Sequence, residues 1–179
     1  DPTLANLTFA LGEWLGNNTQ DLLLYMVGPG AEEIFEISPE ETLDAEDLGE
    51  LLDGAQARVT RNVTFVYDAC AAGSFLPHVR PAIGERILIA GCSESESAVF
   101  VAESDLSFSS FFWSAVMNGG TLEQAFISAA ASIAFSGDGQ SALRDDNGNG
   151  VANEPEDGRI SARRYLGAGI VFAADAPII

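Results

Sequence analysis

Cys70 is the side chain in this sequence with the clearest chemical potential. It ends the segment Asp68-Ala69-Cys70, which directly follows the apolar run Val63–Tyr67. A thiol at the end of a strand can lie beside backbone N–H groups, and such donors stabilise both a thiolate and an oxyanion. The sequence therefore offers Cys70 as a nucleophile. The alternative is a small buried hydrophobic side chain, which is the commoner role of a cysteine after an apolar strand.

Two further segments follow apolar runs in the same way. Gly28-Pro29-Gly30 comes after Leu22–Val27, and Gly91-Cys92-Ser93 comes after Ile87–Ala90. In open α/β sheets, ligands bind outside the carboxyl ends of the strands. If the runs are parallel strands, these segments and Cys70 meet at one edge of the sheet, where we predict the functional site.

Asp145–Glu156 matches the calcium-loop pattern D-x-[DN]-x-[DN]-G-x5-E at every fixed position. In that pattern oxygens converge around a sharp glycine turn, and a final glutamate closes the site. We therefore predict calcium as a cofactor of modest affinity, held in an insertion at 145–156; the alternative is a solvated Asn/Gly-rich turn. The predicted metal ligands are Asp145, Asn147, Asn149, the Val151 carbonyl, Asn153 and Glu156.

These residues must be positioned by an α/β sheet. Continuous apolar runs are typical of strands buried on both faces, as in parallel sheets. Ile34–Ile37 and Leu166–Ala173 are predicted as shorter strands, and 137–158 as a polar loop. The apolar spacing predicts helices, which would cover the sheet. These helices are Leu4–Leu15, Asp44–Asp53, Phe108–Met117 and Thr121–Phe135.

The predicted sheet is small for one that is covered on both faces. We therefore expect 1–179 to be a single domain of processed or partial length that lacks its N-terminal strands. The strand Leu22–Val27 would then have an open edge. A missing N-terminal segment or another chain would complete the sheet there.

The composition of the chain argues against nucleic-acid binding, membrane insertion and a structural zinc cluster. The chain carries 27 acidic residues against 8 basic ones, for a formal net charge of −19. Such an acid excess repels phosphate backbones, so nucleic acid is not expected as a partner. Membrane insertion is not expected either, because no apolar run is long enough to span a bilayer. Two cysteines and one histidine are too few for a structural zinc cluster.

Four segments, in this order, resemble the caspase–legumain superfamily of cysteine peptidases, and most closely bacterial legumain-like domains. They are Leu22–Ile37, Val63–Phe75, Arg86–Phe100 and Ser107–Ala125. In that family one strand ends in His-Gly and the next in Asp/Glu-Ala-Cys, and Tyr67–Phe75 fits the second motif well. The resemblance implies a caspase/hemoglobinase-like three-layer αβα sandwich with a mostly parallel sheet. It also implies a peptide or protein substrate, and we expect a bacterial domain that is extracellular or in the cell envelope.

The sequence departs from the family at the general base. The family's His-Gly falls on Pro29-Gly30, and proline has neither a titratable group nor a backbone N–H. The backbone amides of Gly30 and Cys70 are the expected oxyanion donors. His78, the only histidine, lies after the nucleophile rather than before it, so we interpret it as a structural residue, with a substitute base as the alternative.

We therefore predict a degenerate, catalytically impaired peptidase that acts as a peptide-binding or structural module. One alternative is an active cysteine endopeptidase with an unrecognised base. Another is a calcium-stabilised scaffold or adhesion module. Ser93, Glu94 and Glu96, near the end of the third strand, are the predicted substrate-binding residues.

Cys92 is a second departure, since the family carries a small or hydroxyl residue there. Neighbouring strands lie ~4.8 Å apart, so a disulfide between Cys70 and Cys92 is geometrically permitted. We expect Cys92 to be an unpaired buried thiol, and the bridge is the alternative.

Overall fold

The computed structural model describes residues 2–100, 106–135 and 139–166. The strands within these residues are Asp21–Val27 (β1), Gly30–Ala31 (β2), Ile34–Ser38 (β3), Glu41–Asp44 (β4), Asn62–Asp68 (β5), Ile87–Ala90 (β6) and Leu143–Asp145 (β7). The α-helices are Leu4–Phe9 (α1), Ala45–Gln56 (α2), Phe108–Met117 (α3) and Leu122–Phe135 (α4). A π-helical turn extends α1 over Ala10–Trp14, and 3-10 turns cover Ala72–Phe75 and Ser161–Arg163. Beyond its first residue, the strand predicted over 166–173 lies outside the described residues.

The main sheet has the strand order β1-β5-β6-β7. β1, β5 and β6 are parallel, as the apolar runs predicted, whereas β7 is antiparallel to β6. Val27 pairs with Asp68, and Tyr67 pairs with Ala90, so the carboxyl ends of the three parallel strands meet at one edge. The loop prediction was wrong for β7, because a strand of three residues inside a polar segment carries no periodicity signal.

Helices cover both faces of the main sheet. On β5, Phe65 and Tyr67 point into the core under α2 and the π-helical turn, whereas Val66 points into the core under α3 and α4. This alternation follows from the two-residue period of a strand. The structure therefore confirms an α/β fold with a mostly parallel central sheet, consistent with a caspase/legumain-like architecture.

Local capping fixes where the helices begin. The Asp44 carboxylate accepts the N–H of Glu46 at 2.9 Å and so caps α2. Thr121 and Gln124 form the reciprocal capping pair that the sequence indicated before α4, with N···O distances of 2.9 and 3.2 Å. None of the helices in the described ranges has the length and hydropathy needed to cross a membrane.

A second, antiparallel sheet of β2, β3 and β4 follows directly after β1. Ile34–Ile37, predicted as a short strand, lies within β3. Its partner β2 begins at Gly30, so the hairpin fixes the backbone that leaves the carboxyl end of β1. The small sheet thereby determines where Pro29 and Gly30 lie.

Candidate active site

A cavity of about 650 Å³ lies at the carboxyl edge of the main sheet. Cys70 and Pro29 both line it, although 41 positions separate them in sequence. Tyr25 and Val27 of β1 form one wall, and Trp113 of α3 contributes to another. The topology thus brings together the two residues that the sequence placed at the nucleophile and general-base positions.

Gly30 lies in close contact with Tyr67 and with the backbone of Cys70. A Cβ atom at this position would be 2.8 Å from the Tyr67 hydroxyl oxygen and 3.0 Å from the Cys70 carbonyl oxygen. Both distances are shorter than ordinary van der Waals contact, and the Cys70 oxygen belongs to the backbone. A side chain at this position would therefore displace the cysteine loop, and glycine lets the two segments stay in contact.

The backbone after Cys70 turns sharply and is held on two sides. Ala71 has the left-handed conformation, with φ 55° and ψ 27°, and its N–H donates to the Glu96 carbonyl at 2.8 Å. The Ser74 hydroxyl donates to the Ala71 carbonyl at 2.7 Å and accepts the N–H of Glu33 at 2.8 Å. These bonds join the cysteine loop to the segment after β6 and to the hairpin after Pro29.

Asp68, two residues before Cys70, connects the start of α3 to the end of β5 through hydrogen bonds. Its fully buried carboxylate accepts the backbone N–H of Ser109 at 2.9 Å and the Ser109 hydroxyl at 2.6 Å. Burial raises the pKa of Asp68, and the two bonds from Ser109 oppose that rise. Sequence reasoning missed this role, for which the available signal was an acidic residue ending an otherwise apolar strand.

The sequence model of the peptidase C13 family matches residues 7–130. The chain belongs to the peptidase C13 family. This assignment confirms the resemblance to the legumain branch of the caspase–legumain cysteine peptidases. A search of curated proteins finds no match to the chain.

In this C13 domain, the described surroundings of the Cys70 thiol bear on the missing general base. Within the described residues, no side chain forms a hydrogen bond with the Cys70 sulfur, and the Pro29 side chain has no group that could accept its proton. The His78 Nε2 atom instead lies 3.1 Å from the Glu33 carboxylate, in a contact that links the hairpin to the segment after Phe75. His78 is not among the described residues that line the cavity.

Cys92 is a free, fully buried thiol, and Cys70 is also free. The Cys92 sulfur donates to the Ala69 carbonyl at 3.1 Å. Burial is the main cause that raises the pKa of Cys92 to about 11, so this thiol stays protonated at neutral pH. The structure therefore has the unpaired buried thiol that we expected rather than the alternative disulfide.

The segment with Ser93, Glu94 and Glu96 contacts the cysteine loop at Ala71 and Gly73. The Glu96 carboxylate accepts the N–H groups of Ser93 at 3.0 Å and Ser141 at 2.8 Å. Burial alone raises the pKa of Glu96, but these N–H groups outweigh it and hold that pKa below its ordinary value. None of the three is among the described lining residues.

The segment 145–156 lies beyond the part of the chain that the family model matches. In its first half, Gly148 and Gly150 have positive φ angles of 74° and 86°. The Asp145 carboxylate accepts the N–H groups of both glycines, at 2.6 and 2.7 Å. The side-chain oxygens of Asn147 and Asn149 each accept the N–H two residues further along.

The second half of the loop differs from the predicted ligand set. The side chain of Glu156 is 57% exposed and faces Arg159, whereas Glu154 accepts hydrogen bonds from the side-chain amides of Asn147 and Asn149. The Asn153 side chain bonds the backbone of Ala142 and Arg144. In the described ranges, no group of three or more His, Cys, Asp and Glu side chains has an arrangement that could hold a metal ion. The predicted donors therefore fit a cation site only in part.

Proposed function

We propose that this C13 domain is a degenerate cysteine peptidase that binds peptides in the cavity beside Cys70 and hydrolyses them poorly. One observation carries the proposal: Cys70 and Pro29 line the same cavity. The resemblance of the sequence to the family puts its general base at position 29. In this proposal Cys70 is the nucleophile. The backbone amides of Gly30 and Cys70 are the oxyanion donors.

The size of the catalytic defect follows from the chemistry of the thiol. A cysteine of ordinary acidity is only a few per cent thiolate at pH 7, so it needs a base to reach the nucleophilic form. A positioned general base contributes about 10²–10⁴-fold to such a reaction. Peptide binding does not require the base, because backbone and side-chain contacts to the cavity persist without it.

The proposal is tested by assaying the purified domain against fluorogenic peptide libraries, with Cys70→Ala as the matched control. We expect turnover of the two proteins to differ by less than about tenfold, since the base that would separate them is missing. Peptidyl chloromethyl ketones should nevertheless alkylate Cys70 specifically, as detected by mass spectrometry. Efficient turnover that Cys70→Ala abolishes would instead show an active endopeptidase with another base.

We also propose that the 145–156 loop binds calcium as a structural cation, with Asp145, Asn147 and Asn149 as the oxygen donors. The backbone turn and its two positive-φ glycines support this assignment. Calcium would supply a positive charge among carboxylates that repel each other: burial raises the pKa of Asp157, and the nearby Asp145 and Asp146 add to that rise.

Calcium is expected to raise the melting temperature of the domain, and Asp145→Ala is expected to remove this rise. A ligand that binds only the folded state stabilises it by ~2.7 kcal/mol at 100 times its Kd. Scanning calorimetry with calcium and with chelator measures the difference. Glu156→Gln and Glu154→Gln form the matched pair: loss of the calcium effect in the first alone assigns the closing carboxylate as the sequence pattern predicts. An identical melting curve in calcium and chelator would contradict the site.

A further inference from the structure

We propose that Ser74 is a positioning residue of the candidate active site, whose hydroxyl group fixes the Gly30 amide relative to the Cys70 amide. This inference rests on the proposed function, in which these two amides are the oxyanion donors. Gly30 and Cys70 belong to separate segments of the chain. The distance between their N–H groups therefore depends on the contacts that join these segments.

The Ser74 hydroxyl is a hydrogen-bonded bridge between the β2–β3 hairpin and the cysteine loop. It accepts the backbone N–H of Glu33 at 2.8 Å and donates to the Ala71 carbonyl at 2.7 Å. Glu33 lies in the turn between β2 and β3, and Ala71 directly follows Cys70. Because a hydroxyl group can accept and donate at once, a single side chain connects the two segments.

Both ends of this bridge are residues in the left-handed backbone conformation. Glu33 has a φ angle of 59° and Ala71 has one of 55°. This region is uncommon for residues other than glycine. Such conformations persist where the surrounding structure imposes them, and they concentrate at functional sites. The bridge contributes to that constraint, because each of its bonds is made by the backbone of a residue in this conformation.

Loss of the bridge would act mainly on the hairpin. Ser74 is buried, and without its hydroxyl group the Glu33 N–H would lose the acceptor that it has in the structure. An unpaired backbone donor is unfavourable unless it moves to a new partner. The Ala71 carbonyl, in contrast, keeps its bond from the Ser74 N–H at 2.9 Å. The turn is therefore the part that we expect to shift.

A shift of the turn would also move Gly30. Gly30 pairs with Phe35 across the hairpin, and the Glu36 N–H donates to the Pro29 carbonyl at 3.1 Å. These bonds transmit a movement of the hairpin to its first strand. Gly30 contacts the Cys70 backbone closely, so it has little room to adjust independently. Even a displacement of ~1 Å in an active site can cost ~10²-fold in rate.

A second contact holds the same turn, but it is more exposed. The His78 Nε2 atom lies 3.1 Å from the Glu33 carboxylate, and these side chains are 33% and 52% exposed. Exposed ion pairs contribute little in water. We therefore assign the positioning role to the buried Ser74 hydroxyl, and the experiment includes His78 as the alternative.

The test compares the binding of a peptide aldehyde with that of the corresponding peptide alcohol. The Cys70 thiol adds to the aldehyde: its sulfur forms a bond to the carbonyl carbon, and the thiol proton ends on the carbonyl oxygen. This equilibrium does not depend on a general base, which would change only its rate. In the adduct the oxygen can accept from the Gly30 and Cys70 amides, whereas the alcohol has no carbonyl carbon for the thiol to attack. The ratio of the two dissociation constants therefore reports on the donors.

The probes are Ala-Ala-X aldehydes and alcohols in which X is derived from phenylalanine, asparagine or arginine, and calorimetric titration measures the ratio for the X that binds best. Ser74→Ala is expected to reduce the advantage of the aldehyde about tenfold. This is less than the ~10²–10³-fold cost of removing an oxyanion donor, because the donor is displaced and not lost. The affinity for the alcohol should stay unchanged, which a general loss of structure would not permit.

Three further variants make the result specific. Ser132→Ala is the matched control, because the Ser132 hydroxyl also donates to a backbone carbonyl, that of Ser128 within α4, and lies outside the described cavity lining. Ser74→Cys has nearly the size of serine but carries only a weak donor, so it should lower the ratio even if Ser74→Ala does not fold. His78→Ala should leave the ratio close to that of the unmodified protein.

An unchanged ratio in folded Ser74→Ala or Ser74→Cys protein would overturn the positioning role of Ser74 and leave peptide binding intact. A larger loss in His78→Ala than in the Ser74 variants would overturn it as well, by assigning the role to the exposed contact. If the unmodified protein binds neither compound, or binds both equally, the proposed function itself fails and this inference fails with it.

Discussion

Pro29→His is expected to raise peptide hydrolysis by ~10²–10⁴-fold, the range that a positioned general base contributes. Pro29 lines the same cavity as Cys70, so an imidazole at this position would face the space beside the thiol. Histidine can accept the thiol proton and pair with the resulting thiolate. The substitution also restores the His-Gly pair, since Gly30 already follows.

The measurement compares kcat/KM of the unmodified protein and of Pro29→His for each peptide of the same fluorogenic library. Pro29→Ala is the matched control, because it removes the ring without adding a base, and it should leave hydrolysis at the unmodified level. Adding Cys70→Ala to Pro29→His should abolish the gain. The rate should rise with pH through the ordinary histidine pKa of ~6.5 as the imidazole becomes neutral. No gain in a folded Pro29→His protein would refute the assignment of position 29.

Asp53→Ala is expected to destabilise the domain by about 3 kcal/mol. The Arg86 side chain is fully buried, and its guanidinium donates to the Asp53 carboxylate at 2.8 Å. Burial lowers the pKa of Arg86, and the bond with Asp53 opposes this. Removing the carboxylate leaves a buried cation, for which losses of ~3–5 kcal/mol are typical. We take the lower limit because Gln56 and the Val79 carbonyl still accept from Arg86 and because the Asp53 side chain is 40% exposed.

Denaturant unfolding measures the free energy of unfolding that Asp53→Ala removes. Two further variants serve as controls. Asp21→Ala breaks the Arg61–Asp21 ion pair, whose side chains are both at least half exposed, and should cost less than ~1 kcal/mol. Arg86→Met in the Asp53→Ala background should recover part of the stability, because it replaces the stranded cation with an apolar chain. Equal losses for Asp53→Ala and Asp21→Ala would show that the buried pair contributes no more than a surface one.

Local patterns predicted the central strands well. β5 and β6 are buried along almost their whole length, as expected for strands in a covered, largely parallel sheet. β1 pairs parallel to β5 as predicted, but it lies at the edge of the sheet, and of its residues only Met26 is buried. The capping pair Thr121 and Gln124 likewise marked the start of α4 correctly. Strand runs and capping pairs involve residues within a few positions of each other. They can therefore be recognised in a single sequence.

The hydrogen-bond partners of predicted site residues include contacts that spacing within one segment does not show. Glu96 was expected at the cavity because it follows β6, yet its carboxylate accepts the N–H of Ser141, 45 positions away. Glu156 matched the calcium pattern, but Glu154 is the glutamate that contacts the loop asparagines. In both cases the partner of the side chain is set by how loops approach each other, and spacing within one segment does not encode that approach.

The sequence by itself indicated the family and the parallel strands, and its resemblance to the family predicted proline where the general base is expected. These are properties of residue type and order, and they persist in any conformation of the chain. Only the tertiary structure decided that Cys70 and Pro29 line one cavity, that Asp68 connects α3 to the end of β5, and that the Tyr25 and Trp113 rings pack edge to face. Each of these contacts joins residues at least 41 positions apart, so it depends on how the strands and helices pack and not on any local pattern.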